Sequence, residues 1–337
     1  MKAYVAKSAR NLQLIEKEIP SPGENQVLVR TKTAGICGSD IHLYRGDHPY
    51  TTYPMIFGHE ASGIIEKNCA VKTELQKGDR VVLEPTIFCG SCYPCSIGRT
   101  NCCRNMKTIG VTVDGALSEY FVAPVENIHK IPDNLSIKLA ALVEPLSIGF
   151  HAVYRADVKE NEKVLVIGAG PIGLSILAAA KSRHAEVMIT DISDFRLNIA
   201  EKMGADFLFN NSDDTINEFV GDWTQGQGVP VVFEAVGTPV TIESAVSHAS
   251  DAGRVVVVGV TGKKFSVRGV DITKKELTIY GSRNNLGQFQ TALGFLSESY
   301  SIAEKMISQV FAFEETPLAF KFADCNSSKS CKVLIDF

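Results

Sequence analysis

Four cysteines fall within fifteen residues: Cys89, Cys92, Cys95 and Cys103. Two gaps of two residues and one of seven can bring four thiolates around one ion. Zinc accepts four thiolates tetrahedrally, and a site closed by four protein ligands is structural rather than catalytic. Cys102 stands one residue before Cys103 and is a rival for the fourth position. A second set of soft and borderline ligands is scattered along the chain. Cys37 lies in Gly35-Ile-Cys37-Gly-Ser39-Asp40-Ile-His42, His59 and Glu60 in Gly58-His59-Glu60-Ala-Ser-Gly63, and Glu144 before Pro145. These are residue types that zinc prefers. Spacing alone does not assemble them, and singly a thiol or a histidine is as readily a packed interior residue.

A third constellation is Gly168-Ala-Gly170-Pro171-Ile172-Gly173, between a predicted strand and a predicted helix. Its three glycines suit a tight turn, close approach of backbone to a pyrophosphate, and helix–strand packing. The helix N-terminus offers unpaired N–H groups to phosphates. Asp191, eighteen residues beyond Gly173, ends the next predicted strand, where a carboxylate bonds ribose hydroxyls. Asp191 also repels a 2′-phosphate, which favours NAD over NADP. Arg196 tempers this, since it could serve a phosphate or pack near the adenine.

The elements that must position these residues divide in two. The first 150 residues are rich in strands and turns: Val27-Leu-Val-Arg-Thr-Lys-Thr alternates as a half-buried strand, and Ala61-Ser-Gly-Ile-Ile-Glu and Asp79-Arg-Val-Val-Leu continue the pattern. From near Pro145, short apolar strands alternate with helices. Strands are expected at Lys163–Gly168, Glu186–Thr190, Asp206–Phe209, Val229–Glu234 and Arg254–Gly259, and helices at Leu174–Lys181, Phe195–Met203 and Thr241–Ala249. That alternation predicts a doubly wound parallel sheet. Past Asn285 the pattern predicts helices at Phe289–Leu296 and Ile302–Ile307 and a last strand, Lys332-Val-Leu-Ile-Asp.

Composition narrows the class. The chain has 337 residues, two domains on size grounds, with 45% hydrophobic and 21% charged residues. A net charge of -4 supplies no basic face for nucleic acid. The apolar stretch Val164–Ala180 is broken by Gly168, Gly170, Pro171 and Gly173, so it reads as strand, turn and helix rather than a membrane span. The N-terminus lacks a signal peptide's apolar core, so the cytoplasm is the expected location. There, nine cysteines read as metal ligands and free thiols rather than disulfides.

Gly58-His59-Glu60-x-x-Gly63, Gly78-Asp79-Arg80-Val81, the four-cysteine lobe and the Gly168 fingerprint occur in the order of one family. On these motifs the chain resembles the zinc-dependent medium-chain dehydrogenase/reductase family over essentially its whole length. Within it, Gly35–Gly46, Cys92–Gly98, Gly110–Gly115, Gly281–Asn284 and Cys331–Phe337 are similar to bacterial sugar-acid and polyol dehydrogenases. The resemblance implies an α/β architecture: a GroES-like β-rich catalytic domain (1–147 and 287–337) and a Rossmann domain for NAD (148–286). It implies two zinc ions per chain. One is catalytic, on Cys37, His59 and a carboxylate from Glu60 or Glu144; the other is structural, on Cys89, Cys92, Cys95 and Cys103. It also implies a proton relay from Ser39 to His42, and a homodimer or homotetramer. One departure is Glu66-Lys-Asn-Cys69-Ala-Val, where the family has a glycine-rich turn.

The expected activity is NAD-dependent oxidation of a secondary alcohol of a sugar acid, such as L-gulonate or L-galactonate at C5, to the ketone. Arg283 and Arg45 are candidates for the substrate carboxylate, and either could instead be a structural ion-pair arginine. Alternatives are a sorbitol-type polyol dehydrogenase, a threonine 3-dehydrogenase and, in another class, a regulatory zinc-ribbon binding protein.

Overall fold

A computed structural model describes residues 1–49, 52–211 and 216–337. The chain divides into two compact units, Met1–Glu144 with Phe289–Phe337, and Pro145–Gln288. The first unit is built on a seven-stranded mixed sheet whose central member is the strand Gln26–Ile36. That strand pairs antiparallel with Glu60–Asn68, Lys332–Asp336 and Tyr120–Pro124. Ile307–Ala312, Arg80–Leu83 and Ile128–Lys130 complete the sheet. A hairpin, Lys2–Ser8 with Asn11–Glu16, turns through Arg10 at φ 58°.

Two apolar clusters hold this unit. One joins Leu43, Phe57, Phe320 and Ile335, and the other joins Val27, Val29, Ile65, Val81 and Leu83. They lie along the same central strands because side chains point alternately to opposite faces.

The second unit is a six-stranded parallel sheet in the order 207–210, 186–191, 163–167, 229–234, 249–257, 278–281. Val164, Leu165 and Val166 are fully buried, as a strand covered by helices on both faces must be. Strand order reverses between Lys163–Ile167 and Val229–Glu234, the switch point at which open α/β sheets bind ligands. The helices Pro171–Lys181, Asp194–Lys202, Ile216–Thr224 and Pro239–His248 flank it. The expected parallel sheet is therefore present.

The C-terminal stretch largely follows its sequence reading. The predicted second helical segment near Ile302–Ile307 is present through Met306. A helix at Phe289–Ala303, broken by non-helical Ser299, runs into a short 3-10 turn, and Ile307 begins a strand. Ile307 pairs with Lys332, so the helical segment ends where the sheet begins. A further helix, Thr316–Cys325, was not read from the sequence.

That helix carries Asp324, whose side chain is 4% accessible and meets Arg10 and Arg45 at 2.5 Å each. Burial by itself would raise the Asp324 pKa, but the Arg45 and Arg10 guanidinium groups outweigh it and the net shift is downward. A carboxylate depressed in the fold adds stability above its unfolded pKa of about 3.9, and that stability is lost as pH falls through the folded value. Asp324→Asn is expected to lower stability by about 1–3 kcal/mol at pH 7. Urea midpoints measured from pH 7 down to pH 3.5 should show the gap from wild type narrowing with acid.

Candidate functional site

Cys37 follows directly on the central strand and caps the helix Gly38–Arg45, which ends at Gly46 with φ 83°. Asp40, in the first turn of that helix, accepts the Cys37 N–H at 2.8 Å with Oδ2. Its Oδ1 lies 3.3 Å from His59 Nδ1. One buried carboxylate thus bonds the strand–helix corner and places negative charge beside His59 Nδ1, while His59 Nε2 lies on the Ser39 side. Ser39 Oγ lies 3.4 Å from that Nε2.

His59 enters from the loop before Glu60–Asn68. A Cβ on Gly110 or Gly115 would overlap the Gly58 carbonyl, so the segment between them presses on Gly58-His59 only because both are glycine. Ala116 then donates its N–H to the Gly58 carbonyl at 2.9 Å.

One ligand atom each from Cys37, His59 and Glu60 lies within 4.8 Å of the others. His59 is 5% exposed and Glu60 fully buried. Burial disfavours a charged His59, yet Asp40 and the Cys37 thiol outweigh it and raise its pKa well above the ordinary value. The pocket therefore favours positive charge at this point. Thiol, imidazole and carboxylate donors around a cation-favouring space fit zinc. Glu144 stands outside this three-residue set. Burial raises its carboxyl pKa to about 7, with the charges of His59 and Glu60 among the lesser influences. Of the two carboxylates left open by the sequence, Glu60 is the one grouped with Cys37 and His59.

Two residues of this region escaped the sequence reading. Asp40 carried a signal, an acid at the third position of a helix start. Lys332 is 1% exposed, and its Nζ donates to both oxygens of Glu60 at 2.6 and 2.7 Å. Its signal was a lysine opening the terminal strand, next to the apolar run Val333-Leu-Ile.

The four-cysteine lobe assembles as expected, and Cys103 rather than Cys102 completes it. Sulfur separations are 3.5 Å for Cys92–Cys95, 3.8 Å for Cys92–Cys103 and 3.5 Å for Cys89–Cys103. Four sulfurs at about 2.3 Å from one zinc form a tetrahedron with edges of about 3.8 Å, so the lobe has the dimensions of the ion. Backbone and hydroxyl donation from Ser91 pushes the Cys89 thiol down to about 5, and backbone donation from Arg104 lowers Cys92. Burial, with Cys92 beside it, pushes Cys95 up to about 12. Donors aimed at sulfur favour the thiolates a metal needs.

In the second unit, Gly168 has φ 101°, and a Cβ on Gly173 would overlap the Gly168 carbonyl oxygen. The turn therefore excludes any side chain at Gly173. The helix opens at Gly170 as its N-cap, with Pro171 and Ile172 in the first turn. Asp191 Oδ2 accepts the Ala169 N–H at 2.8 Å, and Oδ1 accepts the Ser193 N–H at 2.9 Å. A carboxylate has about four lone-pair sites, so acceptors remain for a diol. Arg196 Nη1 lies 3.7 Å from Asp191 Oδ2 and borders Gly170.

The remaining predicted residues fall as follows. His42 is exposed on the same helix as Ser39, its Nδ1 2.8 Å from Asp47 Oδ1. Arg45 is committed to Asp324, so of its two readings the structural ion pair is the one formed. Arg283 is exposed in the loop after Thr278–Gly281. Cys69 is a partly buried free thiol.

Comparison with known proteins agrees with this geometry. Residues 23–133 match the alcohol dehydrogenase GroES-like domain, and residues 171–298 match the zinc-binding dehydrogenase domain. The starvation-sensing protein RspB of Escherichia coli K12 is 37% identical over 339 residues, covering 100% of this chain and 99% of that protein. The L-galactonate-5-dehydrogenase of the same organism is 34% identical over 342 residues, covering 100% and 99%. The crystal structure of an Escherichia coli CFT073 alcohol dehydrogenase, rspB, in complex with NADH superposes with a TM-score of 0.93 at 37% identity, covering 100% and 99%. The chain belongs to the zinc-dependent alcohol dehydrogenase family, with its GroES-like and Rossmann domains, and is an oxidoreductase acting on CH–OH donors. The alternative of a zinc-ribbon binding protein is set aside by this membership.

Two ions are expected per chain. Metal analysis of purified protein should find two zinc equivalents, and Cys92→Ser should retain about one and melt earlier. Asp40→Asn should weaken the less tightly held zinc by about 10–100-fold in chelator competition, while leaving the other unchanged.

Proposed function

We propose that this protein is an NAD-dependent dehydrogenase that oxidises a secondary alcohol of a sugar acid to a ketone. The observation that carries the chemistry is the convergence of Cys37, His59 and Glu60 within 4.8 Å, beside the Ser39 hydroxyl. Cys37 and His59, with a carboxylate from Glu60 or Glu144, would hold the catalytic zinc, and the grouping of Glu60 with the first two supports Glu60. Cys89, Cys92, Cys95 and Cys103 would hold the structural one. When bound, zinc acidifies the substrate hydroxyl and the nicotinamide accepts the hydride.

The protein's own groups do the rest. Ser39 Oγ takes the substrate proton, within reach of the face that His59 presents. His42 lies three residues on, so the two share a face of one helix. The Asp47 carboxylate accepts from His42 Nδ1–H, which leaves Nε2 as the acceptor that passes the proton to solvent. Gly168, Gly170, Pro171, Ile172 and Gly173 would cradle the pyrophosphate, and the remaining lone pairs of Asp191 would take the adenosine ribose hydroxyls. Arg196 pairs with Asp191 and would pack beside the adenosine. NAD is preferred because a 2′-phosphate would face the Asp191 carboxylate.

The sugar-acid reading is supported by full-length similarity to L-galactonate-5-dehydrogenase and by Arg283 as a candidate for the substrate carboxylate. The loss of Arg45 to Asp324 weakens the case for an acid and keeps a neutral polyol as a second reading. Nine free cysteines agree with a reducing compartment such as the cytoplasm. Among the described residues no helix is long and apolar enough to cross a membrane. A homodimer or homotetramer is the assembly proposed from the family resemblance, and light scattering measures it.

NADH formation on L-gulonate, L-galactonate, L-idonate, sorbitol and L-threonine should be fastest on one of the hexonates, and faster with NAD than with NADP. Arg283→Ala is expected to raise KM for that hexonate about tenfold or more, the loss of a charge-assisted pair, while changing KM for sorbitol little. Cys37→Ala should abolish turnover in a protein whose melting temperature stays close to wild type.

A further inference from the structure

Lys332 is the most deeply buried lysine of the first unit, at 1% exposure, and its Nζ hydrogen-bonds both oxygens of a fully buried Glu60. Lys332, Gly35 and Glu60 sit on three adjacent strands of one sheet: Lys332–Asp336, Gln26–Ile36 and Glu60–Asn68. Gly35 faces Glu60 across the strand pair, and a Cβ there would overlap Glu60 Oε2. The Glu60 carboxylate therefore rests on a bare glycine, with a buried ammonium on its oxygens and the Cys37 and His59 ligand atoms within 4.8 Å. Two cationic partners can claim the same carboxylate, the ammonium and the metal.

We propose that Lys332 is a positioning residue that competes with the catalytic metal for Glu60, loosening that carboxylate's hold so that a coordination position stays available to substrate. The proposal rests on the reading of Cys37, His59 and Glu60 as the catalytic centre. Each Glu60 oxygen bonded to Nζ keeps a second lone pair, so the carboxylate can be shared rather than sequestered. A buried carboxylate stripped of its counter-cation is strongly disfavoured. Among the described residues Lys332 is the ammonium paired with Glu60, so without it the metal would be the strong positive partner and the carboxylate would bind it tightly. An open position on zinc is what separates a catalytic site from a structural one. With Cys37, His59 and one Glu60 oxygen as ligands, a lysine on the terminal strand would keep the second Glu60 oxygen from taking the position left open.

The test follows metal release rather than turnover. Wild type, Lys332→Met, Lys332→Arg and Lys332→Met/Glu60→Gln are loaded with zinc, and release to a chromophoric chelator is timed. Lys332→Met is expected to slow release from the faster site by about tenfold or more, and Lys332→Arg to stay near wild type. The double variant should lose the slowing, because the effect passes through Glu60. Cobalt substituted at the same site should show weaker visible ligand-field bands in Lys332→Met, as coordination number rises. Release unchanged or faster in Lys332→Met, or slowing that persists with Glu60→Gln, would overturn the proposal. If Lys332→Met does not fold, Lys332→Gln, which keeps hydrogen bonding without the charge, carries the same expectations. A wild type that binds a single zinc would instead overturn the reading of the catalytic centre.

Discussion

Acidic ligands have to be buried to hold a metal in a dry site, and burying charge without compensation is strongly unfavourable. The first unit meets this constraint by placing opposite charges on neighbouring elements. Glu60 lies against Lys332 from the next strand but one, and His59 lies against Asp40 from the helix that Cys37 begins. The Lys332–Glu60 pair joins segments 272 residues apart, so this neutralisation depends on the terminal strand pairing beside Gln26–Ile36.

A second constraint is steric. At several close approaches near functional groups the chain has glycine, and the reason differs by place. Gly35 makes room for the Glu60 carboxylate, Gly110 and Gly115 let a loop press on the carbonyl before His59, and Gly173 lets a helix sit on the Gly168 turn. In each case a single methyl group would displace the catalytic or cofactor-binding element rather than merely loosen a core. The four-cysteine lobe works differently. Its short helix and 3-10 turn bury few side chains, and its shape depends on four sulfurs meeting at tetrahedral distances.

Much of this was legible in the sequence, for reasons that differ by motif. The cysteine lobe and the glycine fingerprint are local. Their ligands or turn residues lie within a few positions of one another, so spacing encodes geometry directly. The parallel strands were legible because burial on both faces demands continuous apolar runs. Cys37, His59 and Glu60 were found as a set only through resemblance, since nothing in their spacing requires them to meet. Local patterning also placed the helical segment near Ile302–Ile307, which ends one residue early where a strand begins to pair with Lys332–Asp336, but it missed the helix Thr316–Cys325. The sequence left Arg45 between two readings, because its partner Asp324 lies 279 residues away.

The sequence by itself determined the class of chemistry: thiolates for a closed zinc lobe, a dinucleotide turn, and an α/β alternation to carry it. These depend on residues near each other in the chain, where bond geometry limits the outcomes. Tertiary structure alone groups Glu60 with Cys37 and His59, spends Arg45 on an ion pair, and stands Lys332 of the terminal strand against Glu60. Those choices are made by strand register and by the need to neutralise buried charge. Both are properties of segments that meet only after folding.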